Sequence, residues 1–373
     1  MILLGVLAVF VALVVLQRVV YERFWQRGLS VEMDFSARSG VEGSSLDLTE
    51  TITSRKALPL PWLTVKFQVS RHLGFEDSPH AAVTDDYYRQ DLFSLGAYQR
   101  IRRTLRVELR KRGYYTIKSI DLLSSDLLLT HNLVSRSGSR SSLTVTPRPI
   151  PLEDVDIPYS RLLGAVLART SLLPDPFEFR TIREYQDFDT LKSVNWLATA
   201  RTGELKVNVH ENTAAREVLI LLNVRPDREY DDDRPLEDGI RISASLCERL
   251  VADGVSVGLV SNARDIVTGE EVEIPPGQSL SHVSAVLEQL GRLDLSRRAS
   301  DLAPLLESSS LDLARSPVLL LVSFNCSRRL SDAWDALLAR GHQGLWIIPR
   351  YASRTDDRLP ATTNDVLRWE VRS

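Results

Sequence analysis

The stretch Arg183–Arg201 reads REYQDFDTLKSVNWLATAR and divides two kinds of sequence. An apolar N-terminus and period-two segments precede it, and alternating strands and helices follow. Asp189 is a good N-cap, because its carboxylate can accept from the free N–H groups of a first helical turn. From there Leu191, Val194, Leu197, Ala198 and Arg201 recur at helical spacing, and Gly203 supplies a left-handed C-cap. The spacing predicts an amphipathic helix over residues 190–202, about three turns long. Upstream, Phe177, Phe179, Thr181 and Arg183 alternate with Glu178, Arg180, Ile182 and Glu184, as in a strand. Downstream, Leu205, Val207 and Val209 alternate with Lys206, Asn208 and His210 in the same way.

The charge content of this unit is unusual. Arg183, Asp187, Asp189, Lys192 and Arg201 surround Tyr185 and Trp196. Arg, Tyr and Trp dominate interface energetics, so one reading is a docking surface. The other is an internal ion-pair network that fixes a domain junction. The pattern R-E-Y-Q-x-x-D-x-x-K-x-V-N-W-x-A-T-A-R resembles the hallmark of the bacterial domain-of-unknown-function family fifty-eight. The match carries onto Arg183, Tyr185, Asp189, Lys192, Trp196, Ala200 and Arg201, whereas Phe188 stands where the family usually has Gly, and Asn195 where Asp or His is common. The resemblance implies a membrane-anchored protein encoded beside a MoxR-type AAA+ ATPase, which would be its partner. Arg183, Tyr185, Asp187, Asp189, Lys192, Asn195, Trp196 and Arg201 form the candidate interaction motif.

At 373 residues the chain is long enough for two or three domains with real cores. A hydrophobic content of 43% and a net charge of −3 are ordinary for a globular protein, and no nucleic-acid-reading motif is present. The two cysteines, Cys247 and Cys326, sit in apolar contexts and point to a reducing compartment rather than a disulfide framework.

Residues 2–16 are an uninterrupted apolar run, extended by Val19, Val20 and Tyr21 beyond Gln17 and Arg18. A spanning helix takes about 17–25 residues, so this one spans if Arg18 snorkels. No basic residue precedes the run and no small-residue cleavage site follows it, which argues against a cleaved signal peptide. Arg18, Arg23 and Arg27 come after it, with Trp25 as an interfacial anchor. The positive-inside rule then places the N-terminus outside and the soluble domains in the cytoplasm, on a single-pass inner-membrane protein.

Between residues 28 and 150 the dominant period is two. Residues 29–35, 46–52 and 63–69 alternate apolar with polar, and Pro59 and Pro61 mark turns. A long strand is expected over 99–115. Ile101, Leu105, Val107 and Leu109 lie on one face, with Arg100, Arg102, Arg106, Arg110 and Arg112 on the other. Residues 72–96 read as an irregular loop with a short helix. Leu127, Leu128 and Leu129 stand where the resembled family usually has a Pro-Phe-Gly turn.

From residue 217 the pattern changes. Strands are expected at 217–224, 255–261, 317–323 and 344–348, with a hairpin over 266–274. Helices are expected at 236–251, 280–290 and 330–339. Continuous apolar strands alternating with helices mean a parallel sheet covered on both faces, with ligands bound beyond the strands' C-terminal ends. This region resembles a von Willebrand factor A-type domain, whose first strand ends in Asp-x-Ser-x-Ser and holds a divalent cation. Here the run is Asn223, Val224, Arg225, Pro226 and Asp227, and a later strand ends Ser323, Phe324, Asn325. Amides replace carboxylates and Arg225 would repel a cation, so Asn223, Arg225 and Asn325 read as a degenerate metal site that binds no metal. The acidic run 227–233 reads as a solvated loop.

No Walker A loop, dinucleotide fingerprint or nucleophile elbow is present, and the six histidines lack zinc-ligand spacing. The expected class is α/β and β. A transmembrane anchor occupies residues 1–27, a β-sandwich 28–150, the motif unit 151–212 and a von Willebrand factor A-like α/β domain 213–373. The expected function is a non-enzymatic adaptor or scaffold working with a MoxR-type AAA+ ATPase, without cofactor or nucleic acid. The alternatives are an enzyme built on Tyr185, Asp187, Asp189 and Arg201, and a cation-dependent adhesion module.

Overall fold

The apolar N-terminus forms one helix, Ile2–Phe24, long and apolar enough to cross a membrane. In the computed structural model the described residues are 2–75, 86–117, 119–138, 141–172, 179–185, 194–210, 217–226, 233–308, 313, 317–351, 360 and 365–371. Asp187, Asp189, Lys192 and Asp227 lie outside them. The chain divides into two units, Met1–Arg148 and Pro149–Ser373.

The helix is exposed along its apolar length, but its last turn is part of the first unit's core. Tyr21 and Trp25 share one helix face and are buried there. The Tyr21 hydroxyl donates to the Pro59 carbonyl at 2.9 Å, and the Lys56 ammonium donates to the Trp25 carbonyl. Trp25 is therefore a core residue, not the headgroup anchor its position beside three arginines suggests. Arg18 reaches one turn onward to Glu22 at 3.1 Å, in the direction a snorkelling side chain takes.

Three sheets build the rest of this unit. The first runs Leu29–Phe35, Ser45–Ser54, Arg100–Leu109, Leu73–Phe75, and all its pairs are antiparallel. The second runs Asn132–Ser137, Ile120–Ser125, Leu60–Ser70, Asp86–Leu95, also antiparallel. The third is small: Ser39–Val41, Ser142–Thr146, Gly113–Thr116. Period-two alternation sends Leu48 and Ile52, Val65 and Phe67, and Leu105 and Val107 into one shared core.

Two expectations need correction. Asp86–Leu95 is a full strand rather than part of a loop with a helix. Its inner face carries Arg89 and Asp91, so its alternation is polar on the side where a hydrophobic pattern is normally sought. The strand expected over 99–115 is two strands. The ladder ends at Leu109, whose carbonyl accepts from Gly43, while the Arg110 N–H turns to His72. The chain then restarts at Gly113, which has φ 154°. Arg100, Arg102, Arg106 and Arg110 do face outward, but Arg112 is buried.

Arg103 joins Arg89 and Asp91 inside. Asp91 accepts from Arg89 at 2.8 Å and from Arg103 at 2.7 Å. Cross-strand from Arg103 sits Glu50, only 1% exposed, with neither carboxyl oxygen hydrogen-bonded. Burial pushes its carboxyl up to about 7, helped by Asp91 and opposed by Arg103 and Arg89.

The second unit is organised on a sheet in the order Glu271–Gly277, Ser256–Asp265, Glu217–Asn223, Val318–Ser323, Gly344–Tyr351, Val366–Val371. Its pairs are parallel except at Glu271–Gly277, the return arm of a hairpin turned at Gly269, and at the short Leu293–Asp294 beside Ser256–Asp265. Val218, Ile220 and Leu222 pack under helices Leu152–Leu172, Arg234–Ala252 and Leu280–Gly291. Leu219 and Leu221 face the opposite way, toward Ala303–Glu307 and Arg328–Ala339. Both faces are covered, which explains why the strands are apolar throughout.

Helix Leu152–Leu172 is absent from the sequence-based expectation. Pro158 lies inside it and normally argues for a break. Burial overrides that cost: Val155, Tyr159, Leu162 and Val166 recur on one face and enter the core. The Tyr159 hydroxyl donates to Asp253, the Arg249 guanidinium lies 4.6 Å over the Tyr159 ring, and Trp369 donates to the Asp154 carbonyl at 3.0 Å.

Candidate functional site

The motif is a hairpin with a small helix in its connection. Phe179–Glu184 pairs antiparallel with Lys206–His210, setting Arg183 opposite Val207 and Glu184 opposite Lys206. The Tyr185 N–H continues the ladder to the Leu205 carbonyl at 2.9 Å. Val194 bridges Val207, and the Asn195 N–H donates to the Lys206 carbonyl at 2.8 Å.

Because Val194 is held extended, the helix starts later than its periodicity suggests, spanning Trp196–Thr202. Its N-cap is Asn195, not the expected Asp189: the side-chain oxygen accepts from the Ala198 N–H at 2.9 Å. Gly203 closes it at φ 77°, donating to the Thr199 carbonyl. The Thr199 hydroxyl accepts from the Lys206 N–H at 3.0 Å, tying helix to strand.

These polar bonds leave the apolar side chains outward. Trp196 is 65% exposed and Leu197 67%, and none of the helix residues is buried. Arg201 is exposed, and Tyr185 and Asn195 are half-buried. Trp196 is therefore not a core residue. The hairpin displays an indole and a leucine from a frame fixed by two caps.

The second candidate lies at the C-terminal ends of the parallel strands. Asn223, Asn325 and Ser323 are buried there together with Asn262, which the sequence reading missed. Asn223 donates to the Ser323 hydroxyl at 2.9 Å, and its oxygen accepts from Asn262 at 2.8 Å and from the Arg225 N–H at 3.0 Å. Asn262 also accepts from the Val224 N–H at 2.9 Å and donates to the Ser300 carbonyl at 2.7 Å. The Ser323 hydroxyl donates to the Asn325 carbonyl at 3.0 Å, and the Asn325 side chain accepts from the Ser327 N–H at 2.9 Å. Arg225 and Arg329 share Asp301, at 3.4 and 3.3 Å. These amide and hydroxyl groups are engaged in holding loops. A signal for Asn262 exists: within Ser256–Asp265 it follows a run of apolar and small residues, where an amide is conspicuous.

Among the described residues of this edge no nucleophile is hydrogen-bonded to a base. Cys247 is buried and its thiol is pushed up to about 12, first by burial and then by Glu248, which keeps it protonated.

The family described as "Protein of unknown function DUF58" matches residues 181–367, half of the chain and the whole motif. The chain belongs to this family. No curated protein matches it. Among solved structures, the CARDB domain of the PF1109 protein from Pyrococcus furiosus is 14% identical, with a TM-score of 0.21, over 32% of this chain and 93% of that one. The Pseudomonas fluorescens alkylpurine DNA glycosylase AlkC is 17% identical, with a TM-score of 0.20, over 32% and 30%. The E. coli alpha-2-macroglobulin is 16% identical, with a TM-score of 0.22, over 38% and 10%. At such TM-scores nothing follows for this DUF58 chain.

Proposed function

We propose that this DUF58 protein is a non-catalytic adaptor, anchored in the inner membrane by Leu3–Phe24 and gripped through its motif hairpin by a MoxR-type AAA+ ATPase. The carrying observation is the outward pair Trp196 and Leu197 on a doubly capped helix. A large indole that contributes nothing to a core, yet is rigidly presented, suits a binding anchor. Arg23 and Arg27 at the helix end favour the N-terminus outside and both units in the cytoplasm. In this reading the first unit, next to the anchor in sequence, is a β-sandwich. The second is a von Willebrand factor A-like domain in which amides have replaced the cation ligands.

The test is a pull-down of the full chain from detergent-solubilised membranes, wild type against Trp196→Ala. The expected result is an AAA+ ATPase captured by the wild type and lost from the variant, with the melting temperature unchanged. Equal capture by both, or no ATPase from either, overturns the reading.

A further inference from the structure

The Asp126–His131 turn lies against the N-terminal helix at a defined height. Gln17 donates to the Asp126 carboxylate at 2.5 Å, and Glu22 meets His131 at 3.1 Å. The turn therefore runs along the helix between these two residues. Asp126 also accepts from the Thr130 N–H at 2.6 Å, the Thr130 hydroxyl at 2.5 Å and the His131 N–H at 3.1 Å. That leaves the carboxylate internally satisfied and the turn tightly closed. Leu129 takes φ 56°, a left-handed conformation disfavoured for a residue with a Cβ. The outcome is that Leu127, Leu128 and Leu129 all project outward, between 51% and 60% exposed.

The helix length fixes what lies at that height. A hydrocarbon core of about 30 Å needs about 20 helical residues. In the segment Leu3–Phe24, any span of about 20 residues includes Gln17 and ends about a turn or more beyond it. Gln17 then sits about one turn inside the boundary, and the turn beside it cannot be bathed in water. Trp62 marks the same level. Its carbonyl accepts from Ser124 at 2.8 Å, close in sequence to the turn, while Tyr21 bonds Pro59 at the start of that segment. Its ring is exposed. Trp is the residue type that settles at the membrane–water interface, and Trp62 takes the place that Trp25 vacates by being buried.

We propose that Leu127–Leu129, with Trp62 beside it, inserts into the lipid bilayer next to the anchor helix. The Gln17–Asp126 and Glu22–His131 contacts hold these leucines alongside the apolar helix, so one occupant, lipid, covers both. Together they hold the first unit on the membrane at two points, which a single helix cannot do. The proposal rests on the reading of Leu3–Phe24 as bilayer-spanning.

The test uses the full chain in lipid nanodiscs with Cys326→Ala as background, since Cys247 is buried. An environment-sensitive fluorophore is attached to Leu128→Cys, to Leu13→Cys in the helix, or to Thr104→Cys on an exposed strand face. Each is challenged with spin-labelled lipid and with aqueous iodide. The expected result is a blue shift and loss of emission to spin-labelled lipid at positions 13 and 128, and iodide quenching only at 104. Lipid quenching at 13 with iodide quenching at 128 overturns the proposal and leaves the anchor standing. Absence of lipid quenching at 13 sinks the anchor itself. Protection of 128 from both quenchers assigns the leucines to a protein partner and also overturns the proposal.

Discussion

Glu50→Gln should remove a pH-dependent instability from the first unit. Glu50 is raised from 4.5 to about 7, chiefly by burial. A raised carboxyl contributes its full share of stability below the unfolded value and loses it as pH climbs through the folded one. The window is therefore pH 4.5 to 7. At about 1.4 kcal/mol per pH unit, the loss across it amounts to about 3 kcal/mol, after which the curve is flat. The glutamine keeps the shape without the charge, so the variant should match the wild type near pH 4.5 and exceed it by about 3 kcal/mol at pH 8.

The assay is denaturant unfolding of the full chain in detergent. Hydrogen exchange of the amides in Ser45–Ser54 and Arg100–Leu109 reports the first unit apart from the second. Parallel pH profiles for wild type and Glu50→Gln would refute the reasoning, because the difference cancels every other titrating group.

Three further substitutions separate framework from display. Trp196→Ala should change stability by less than about 0.5 kcal/mol, as surface positions do, which a thermal melt checks. Asn195→Ala should cost about 1 kcal/mol through the lost cap and raise exchange at the Ala198 amide while leaving the sheet protected. Gly344→Ala should cost about 1–3 kcal/mol, read by denaturant midpoint, because the added carbon would lie 2.6 Å from the Trp334 ring.

The central parallel strands were legible because each is buried on both faces and therefore written as an unbroken apolar run, as in Glu217–Asn223, whereas the edge strand Val366–Val371, with Arg368 and Glu370 exposed, was not. The arginine-bearing strand was legible for the opposite reason, one face wet and one dry. Asp86–Leu95 was not, because its inward positions include Arg89 and Asp91, whose burial depends on Arg103 from another strand. Helix Leu152–Leu172 was hidden by Pro158. The helix start at Trp196 was hidden because the bridge from Val194 to Val207 is a tertiary contact that periodicity does not see. Trp25 departs from its expected environment for the same reason: hydrophobicity says that a ring avoids water, not whether protein or lipid excludes it.

The amide cluster at the sheet edge makes a sharper case, since its buried side chains bond one another. Asn262→Ala removes one partner each from the Val224 N–H, the Asn223 oxygen and the Ser300 carbonyl. At about 1–3 kcal/mol per buried orphan, partly relieved by relaxation, the cost should be about 2–4 kcal/mol. Asn223→Ala breaks one of the same bonds. The double variant should therefore cost less than the sum of the singles, with a coupling of about 0.5–3 kcal/mol. Strict additivity in a double-mutant cycle would show that the two amides do not work as one network. If they do, the loops at this edge are held by one network of neutral hydrogen bonds.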